Sequence, residues 1–168
     1  MELMELNETK LHELLGKVVT EMGAAANGPL VTLGDKLGLY KSLSESGPMT
    51  SGELATATST AERYVREWLS AQAASGYIEY DAQKNTFSMT PEQAAVFGDA
   101  KSPVFMTGAF YAITSVYHDE PKMEEAFMTG EGVSWGDHNS CLFCGTEKFF
   151  SPSYAGNLIS NWLPALDG

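Results

Sequence analysis

Basic residues are scarce in this chain: ten Lys and Arg stand against 22 Asp and Glu, a formal net charge of −12. Lys and Arg contacts to phosphate supply most of the non-specific affinity of nucleic-acid binders, so a broad nucleic-acid footprint is excluded unless these few cations cluster. Cysteine is nearly absent too, with two residues, Cys141 and Cys144. That is too few for a disulfide framework, and with eight methionines it fits a reducing cytoplasm. No stretch approaches the ~20 apolar residues of a membrane helix. The opening MELMELNETK has neither a positive n-region nor an apolar h-region, so a secretory leader is not expected. Glycine-rich phosphate loops are missing: no G-x-G-x-x-G follows a strand pattern and no G-K-[ST] occurs. No nucleophile elbow is expected either.

What is present is mostly helical patterning. At 168 residues the chain can bury about two-thirds of its unfolded surface, enough for one good core or two small ones. Residues from about Asn7 to Ala26 read as a first helix with Leu11, Leu14, Leu15, Val18, Val19 and Met22 on one face. Asn27-Gly28-Pro29 reads as a break, and Leu30, Leu33, Leu37 and Tyr40 as a second helix that Ser46-Gly47-Pro48 ends. The apolar excess of these two helices, with Ala24, Ala25 and Ala26 permitting close approach, fits either a homodimer interface or packing on the chain's own core.

Pro48 to Pro91 has the outline of a winged helix-turn-helix. Thr50 and Glu53 have capping-box spacing, and Ser59 and Glu62 repeat it. Tyr64, Val65, Trp68, Leu69 and Ala73 then form one apolar stripe, and Gly76 is a stop. Ile78 and Tyr80, then Phe87 and Met89, alternate with polar residues around the turn Asp81 to Asn85, which makes a hairpin. Thr90-Pro91-Glu92-Gln93 starts a short helix to Phe97. From Pro48 to Pro91 the only basic residues are Arg63, Arg66 and Lys84. The wing therefore lacks a DNA-binding charge pattern, and Arg63 and Arg66 read as a solvated face or a subunit contact.

Downstream, Ser102-Pro103 reads as the start of an apolar helix, Asp119 to Met128 as another, and Gly130 to Gly145 as an irregular loop. A last helix is expected from Ser151-Pro152. The loop carries the candidate chemistry. Cys141 and Cys144 form a lone C-x-x-C beside Asp137 and His138, but a structural zinc site draws on four ligands and a second pair is missing, so no metal is expected. His138, with Trp135, Asp137 and nearby Phe143, suits a pocket lining, and a neutral histidine can serve as a general base near pH 7. A surface histidine bonded within a tight loop is the alternative.

The segments LGDKLGLYKSLSESGPMTSGELA, ERYVREWLSAQAASGYIEYD and FSMTPEQAAVF, in that order, resemble the N-terminal part of bacterial class I S-adenosylmethionine-dependent methyltransferases. GVSWGDHNSCLFCGTEKFFSPSYAGNLISNWLPALDG resembles the region that links it to the catalytic domain. The resemblance implies a mainly α fold with a small β-hairpin: a winged-helix dimerisation domain over residues 1–98, then a helical lid and linker over 99–168. The Rossmann-like domain that binds S-adenosylmethionine would lie beyond, so the chain reads as an N-terminal fragment, inactive alone and with no cofactor-binding residues of its own. The resemblance implies a small-molecule substrate, His138 as substrate contact or proton acceptor, and Trp135, Asp137, Phe149 and Tyr154 as substrate-binding candidates. It also makes Phe149, Phe150 and Tyr154 candidates for the wall between lid and cofactor domain, packing of the final helix being the other reading. Two other readings remain open: a winged-helix transcriptional regulator and a non-catalytic ligand-binding dimer module.

Overall fold

A computed structural model describes residues 6–166; the outermost ends of both expected domains, with Asp167 and Gly168, lie outside it. The fold is mainly helical with one two-stranded antiparallel sheet, as expected. It begins with one 29-residue helix, α1 (Glu8–Lys36), capped by the Asn7 side chain. The break expected at Asn27-Gly28-Pro29 does not occur. Pro29 removes only one N–H and is itself exposed, while tertiary bonds hold the helix across it. Gln72 Nε2 donates to Asn27 Oδ1 at 2.7 Å, and Trp68 Nε1 donates to the Leu30 carbonyl at 2.8 Å. The chain turns instead at Gly38, whose φ of 69° suits glycine, and α2 (Leu39–Ser46) follows.

The winged helix-turn-helix comprises α2, α3 (Ser51–Thr58), α4 (Glu62–Ala74) and the hairpin β1 (Glu79–Asp81) with β2 (Thr86–Ser88). The hairpin pairs Tyr80 with Phe87, and a further bridge joins Met49 to Phe87. The Thr50–Glu53 capping box forms, and so does a Thr90–Gln93 box opening α5 (Pro91–Gln93). The second expected box does not. Ser59 ends α3 in the left-handed region, α4 starts at Glu62, and the Glu62 carboxylate accepts from Ser51 Oγ at 2.7 Å instead.

The core of this unit is Val31, Leu39, Tyr40, Leu43, Leu54, Val65, Trp68, Leu69, Ile78 and Phe87, with Phe97 closing it. Tyr40 sits edge-on to Trp68 and stacked on Phe97, and its hydroxyl donates to Gln72 at 2.5 Å. Burial raises that hydroxyl's pKa, which keeps it a donor. At Gly34, α1 packs so closely that a Cβ would lie 2.4 Å from the Trp68 ring and 2.6 Å from the Tyr40 ring. Tyr64 departs from the expected stripe: it is 74 % exposed.

The second half of the chain is α6 (Thr107–His118), α7 (Glu120–Thr129) and α8 (Ser140–Asn157), followed by a π turn at Leu158–Trp162. Helix α6 starts later than expected because Met106 N–H is drawn to the Val96 carbonyl at 2.9 Å. Helices α6 and α8 meet backbone to backbone: a Cβ on Gly108 would lie 2.7 Å from the Gly145 carbonyl oxygen. Asp35 of α1 joins the two halves. Its carboxylate accepts from Tyr111 Oη at 2.7 Å and pairs with Lys148 of α8. No helix among the described residues is long and apolar enough to cross a membrane.

Candidate functional site

The stretch expected to be one loop from Gly130 to Gly145 is shorter than that. A 3-10 turn covers Trp135–Asp137, and α8 already begins at Ser140 with Asn139 as its cap. Asn139 Oδ1 accepts from Cys141 N–H at 3.0 Å, satisfying one of the free donors at the helix start. Cys141 and Cys144 therefore lie in the first turns of α8, and the expected start at Ser151-Pro152 falls inside that helix. Both cysteines are free, and no group of three His, Cys, Asp or Glu among the described residues could hold a metal.

Asp119, at the corner between α6 and α7, organises this region. It is only 2 % exposed and accepts from Lys122 Nζ at 2.8 Å, Asn139 N–H at 2.8 Å and His138 Nδ1 at 3.1 Å. The Lys122 ammonium first, then the Asn139 N–H and the His138 ring, hold its carboxyl down at about 2. An ionised carboxylate can only accept, so His138 Nδ1 is the donor, and in the neutral ring Nε2 is left as an acceptor. This is the geometry of a base oriented by a carboxylate. Lys122 also donates to the Asp137 carbonyl, which ties the 3-10 turn to α7.

Trp135 stands over the turn, 63 % exposed, with its ring edge-on to His138 at 6.1 Å and to Phe143 at 5.3 Å. Asp137 lines a polar depression of about 220 Å³ with Lys122, Glu125, Thr129 and Ser134. Trp135, Asp137 and His138 are thus brought together, and Asp119 and Lys122 join them. Sequence reading took Asp119 only as a helix start; the signal for more was an acid at a helix–helix corner just ahead of Pro121.

The other two candidates are elsewhere. Phe149 packs edge-on to Phe150 at 5.0 Å, and Tyr154 lies beside Trp162 at 5.1 Å. At a 1.5 Å rise, Phe149 is about 15 Å along α8 from Asn139 and Tyr154 about 22 Å, so these aromatics form a separate surface. The sequence reading also passed over Gly132-Val133-Ser134-Trp135-Gly136, which spells G-x-S-x-G. It is not a nucleophile elbow, because no strand leads into it and Ser134 keeps an ordinary extended backbone at φ −62° and ψ 144°.

Two basic residues of the winged helix lie beside acids. Arg66 points to Glu62 of its own helix at 3.9 Å, and Lys84 at the wing tip pairs with Asp81 at 3.6 Å.

Residues 25–98 match the family model described as the Rv2258c-like winged HTH domain. A comparison with curated proteins finds no match. Among solved structures the chain is similar to the mitomycin 7-O-methyltransferase MmcR, at 17 % identity and a TM-score of 0.66 over 89 % of this chain and 47 % of that one. It is similar to PigF with SAH at 15 % identity and a TM-score of 0.63, over 90 % of this chain and 48 % of that one. An O-methyltransferase family protein from Burkholderia thailandensis matches at 11 % identity and a TM-score of 0.61, over 97 % of this chain and 46 % of that one. These are likenesses of fold. The chain has the fold of the N-terminal region of such methyltransferases and spans about half the length of the solved structures it matches.

Proposed function

We propose that this chain is the dimerisation and substrate-lid portion of an S-adenosylmethionine-dependent methyltransferase acting on a small molecule. The observation that carries the reading is a winged helix without a cationic surface, joined to a helix whose apolar face has no partner. Leu14, Val19 and Met22 on α1 are 58 %, 66 % and 65 % exposed. A face of that size on a helix is a subunit contact, not a solvated surface. The likeness of fold to about half of several solved methyltransferases supports the enzyme class.

The described residues do not fit the cofactor. Their only sheet is the antiparallel β1–β2 pair, which has none of the parallel strand ends at which such a cofactor is held. S-adenosylmethionine, which supplies the methyl group, would be held by a part of the enzyme outside these residues.

The lid is α6 to α8 with the turn at Trp135–Asp137. Trp135 provides an apolar face for a substrate ring, and His138 a proton acceptor. Asp119 keeps Nδ1 occupied and Nε2 open to a substrate hydroxyl. Phe149 and Tyr154 contribute to the wall that faces the cofactor-binding part.

Two titrations test the reading on the 168-residue chain. Calorimetry with S-adenosylmethionine is expected to show no micromolar binding; such binding would overturn the assignment of the cofactor elsewhere. Fluorescence anisotropy with duplex DNA at low salt is expected to stay flat. A strong, salt-sensitive rise would favour a transcriptional regulator instead.

A further inference from the structure

We propose that Cys141 and Cys144 form a thiol–disulfide switch at the start of α8, set by exchange with a low-molecular-weight disulfide, and that its closure moves the Asn139–His138 corner. The pair stands on its own geometry; that the corner belongs to a lid rests on the reading above.

The two sulfurs are neighbours, and both can be reached. Three residues apart on one helix, they share a face with Cβ atoms about 5–6 Å apart. Cys144 is exposed and Cys141 half-buried. Both face Tyr111: burial and Asp35 raise its hydroxyl's pKa, and charge on either thiol adds to the effect. Cys144 opens on a depression of about 270 Å³ that it shares with Phe105, Glu147, Lys148 and Ser151. Lys148 Nζ stands over the Tyr111 ring at 5.2 Å and the Phe105 ring at 5.7 Å, one turn beyond Cys144. Its charge is shared with Asp35 and offset by Glu147, so the helix N-terminus supplies the steadier field for a thiolate.

Closing the pair has a defined structural consequence. A disulfide needs Cβ atoms about 3.5–4.5 Å apart, closer than a regular helical turn holds them. It forms if Cys141 leaves the helix and becomes its cap. A cap carbonyl still accepts the first helical bond, so the bond from Gly145 N–H survives. The Asn139 Oδ1 bond to Cys141 N–H at 3.0 Å is lost, and so is the Leu142 N–H bond to the Asn139 carbonyl at 2.9 Å. Downstream the helix is fixed, because a Cβ on Gly145 would lie 2.6 Å from the Ala112 nitrogen. The movement therefore runs upstream. There Asn139 N–H and His138 Nδ1 both donate to Asp119, so shifting Asn139 loosens the carboxylate's hold on the histidine ring. A bond made at that cost is easily reduced, which suits a switch and not a structural bridge.

The exchange balances. The Cys144 thiolate attacks one sulfur of the small disulfide and displaces a thiolate, leaving a mixed disulfide. The Cys141 thiolate then attacks the Cys144 sulfur and displaces the second. The chain gives up two hydrogens with their electrons, and the small disulfide leaves as two thiols.

Glutathione disulfide, added to the reduced 168-residue chain, is the probe. The expected product is lighter by two hydrogens, has lost both titratable thiols, shows no covalent dimer on a non-reducing gel and is restored by reduced glutathione. Cys141→Ser should stop at a stable single-glutathione adduct on Cys144. Cys144→Ser should react about tenfold more slowly than wild type, its remaining thiol being the less exposed one. Neither side chain belongs to the core, so both variants keep the helical circular dichroism. In proton–nitrogen spectra oxidation should shift the Asn139 and His138 signals and leave Gly108 in place. An inert wild type, adducts that persist on both of its cysteines, or a bond formed only between copies would overturn the switch. So would a closed pair that leaves Asn139 and His138 unmoved. No readout depends on methyl transfer, so failure here leaves the lid reading standing, and failure of the lid reading leaves these results unchanged.

Discussion

Replacing Gly145 by alanine should destabilise the chain, even though alanine is the better helix former. The added Cβ would lie 2.6 Å from the Ala112 nitrogen and 2.7 Å from the Gly108 carbonyl oxygen, where ordinary contact begins at 3.4 Å. Both obstacles are backbone, so neither can rotate away, and α6 and α8 must separate by several tenths of an ångström along their crossing. Overpacking of this kind costs roughly 1–3 kcal/mol, and the constraint on both partners puts this case in the upper part of that range. Helix propensity returns about 1 kcal/mol. The net loss is about 1–2 kcal/mol, a fall in Tm of roughly 2–8 °C for a chain of this size. Gly16→Ala is the matched control, because nothing lies within 4 Å of its Cβ position and α1 is exposed there. It should gain about 0.5–1 kcal/mol. Thermal unfolding by circular dichroism at one fixed protein concentration compares the two. If Gly145→Ala melts at or above Gly16→Ala, the close α6–α8 crossing is wrong, and with it the fixed position given to the lid.

Three further outcomes follow from the same contacts. Asp119 has a carboxyl lowered on folding to about 2, so its stabilisation is complete above its ordinary pKa near 4 and is lost as the pH falls through 2. The Tm difference between wild type and Asp119→Asn should therefore shrink below pH 4, and a difference constant down to pH 2 would contradict the network. Long-range proton–nitrogen NMR should find the neutral His138 ring protonated at Nδ1; protonation at Nε2 would remove Asp119 as its orienting partner. Lys148→Met leaves Asp35 with Tyr111 and without its cation, and should lower stability by about 1–3 kcal/mol in urea unfolding. No change there would mean that the ion pair does not join the two halves.

Local chemistry was the legible part of the sequence. The Thr50–Glu53 and Thr90–Gln93 boxes, the stop at Gly76 and the hairpin around Asn85 depend on neighbours within a few residues, and they form as read. What was misread depends on partners far along the chain. Asn27-Gly28-Pro29 looks like a break until Gln72 and Trp68, about 40 residues away, hold it in α1. Glycine at 145 reads as loop, yet it is there so that α8 can lie against Gly108. The capping pattern at Ser59 failed because Ser59 closes α3 in the left-handed region, its N–H turned back to the Ala55 and Thr56 carbonyls, and Ala61 takes the cap position of α4. In the candidate site Trp135, Asp137 and His138 were visible as one short string. Asp119, which holds them, is 19 residues before His138 and has no motif around it.

The central claim is that a winged helix has become a subunit contact in a methyltransferase, and the mass of the chain in solution tests it most directly. Light scattering across a range of concentrations should give twice the 18.2 kDa chain mass. A monomer that persists at every concentration would contradict the account.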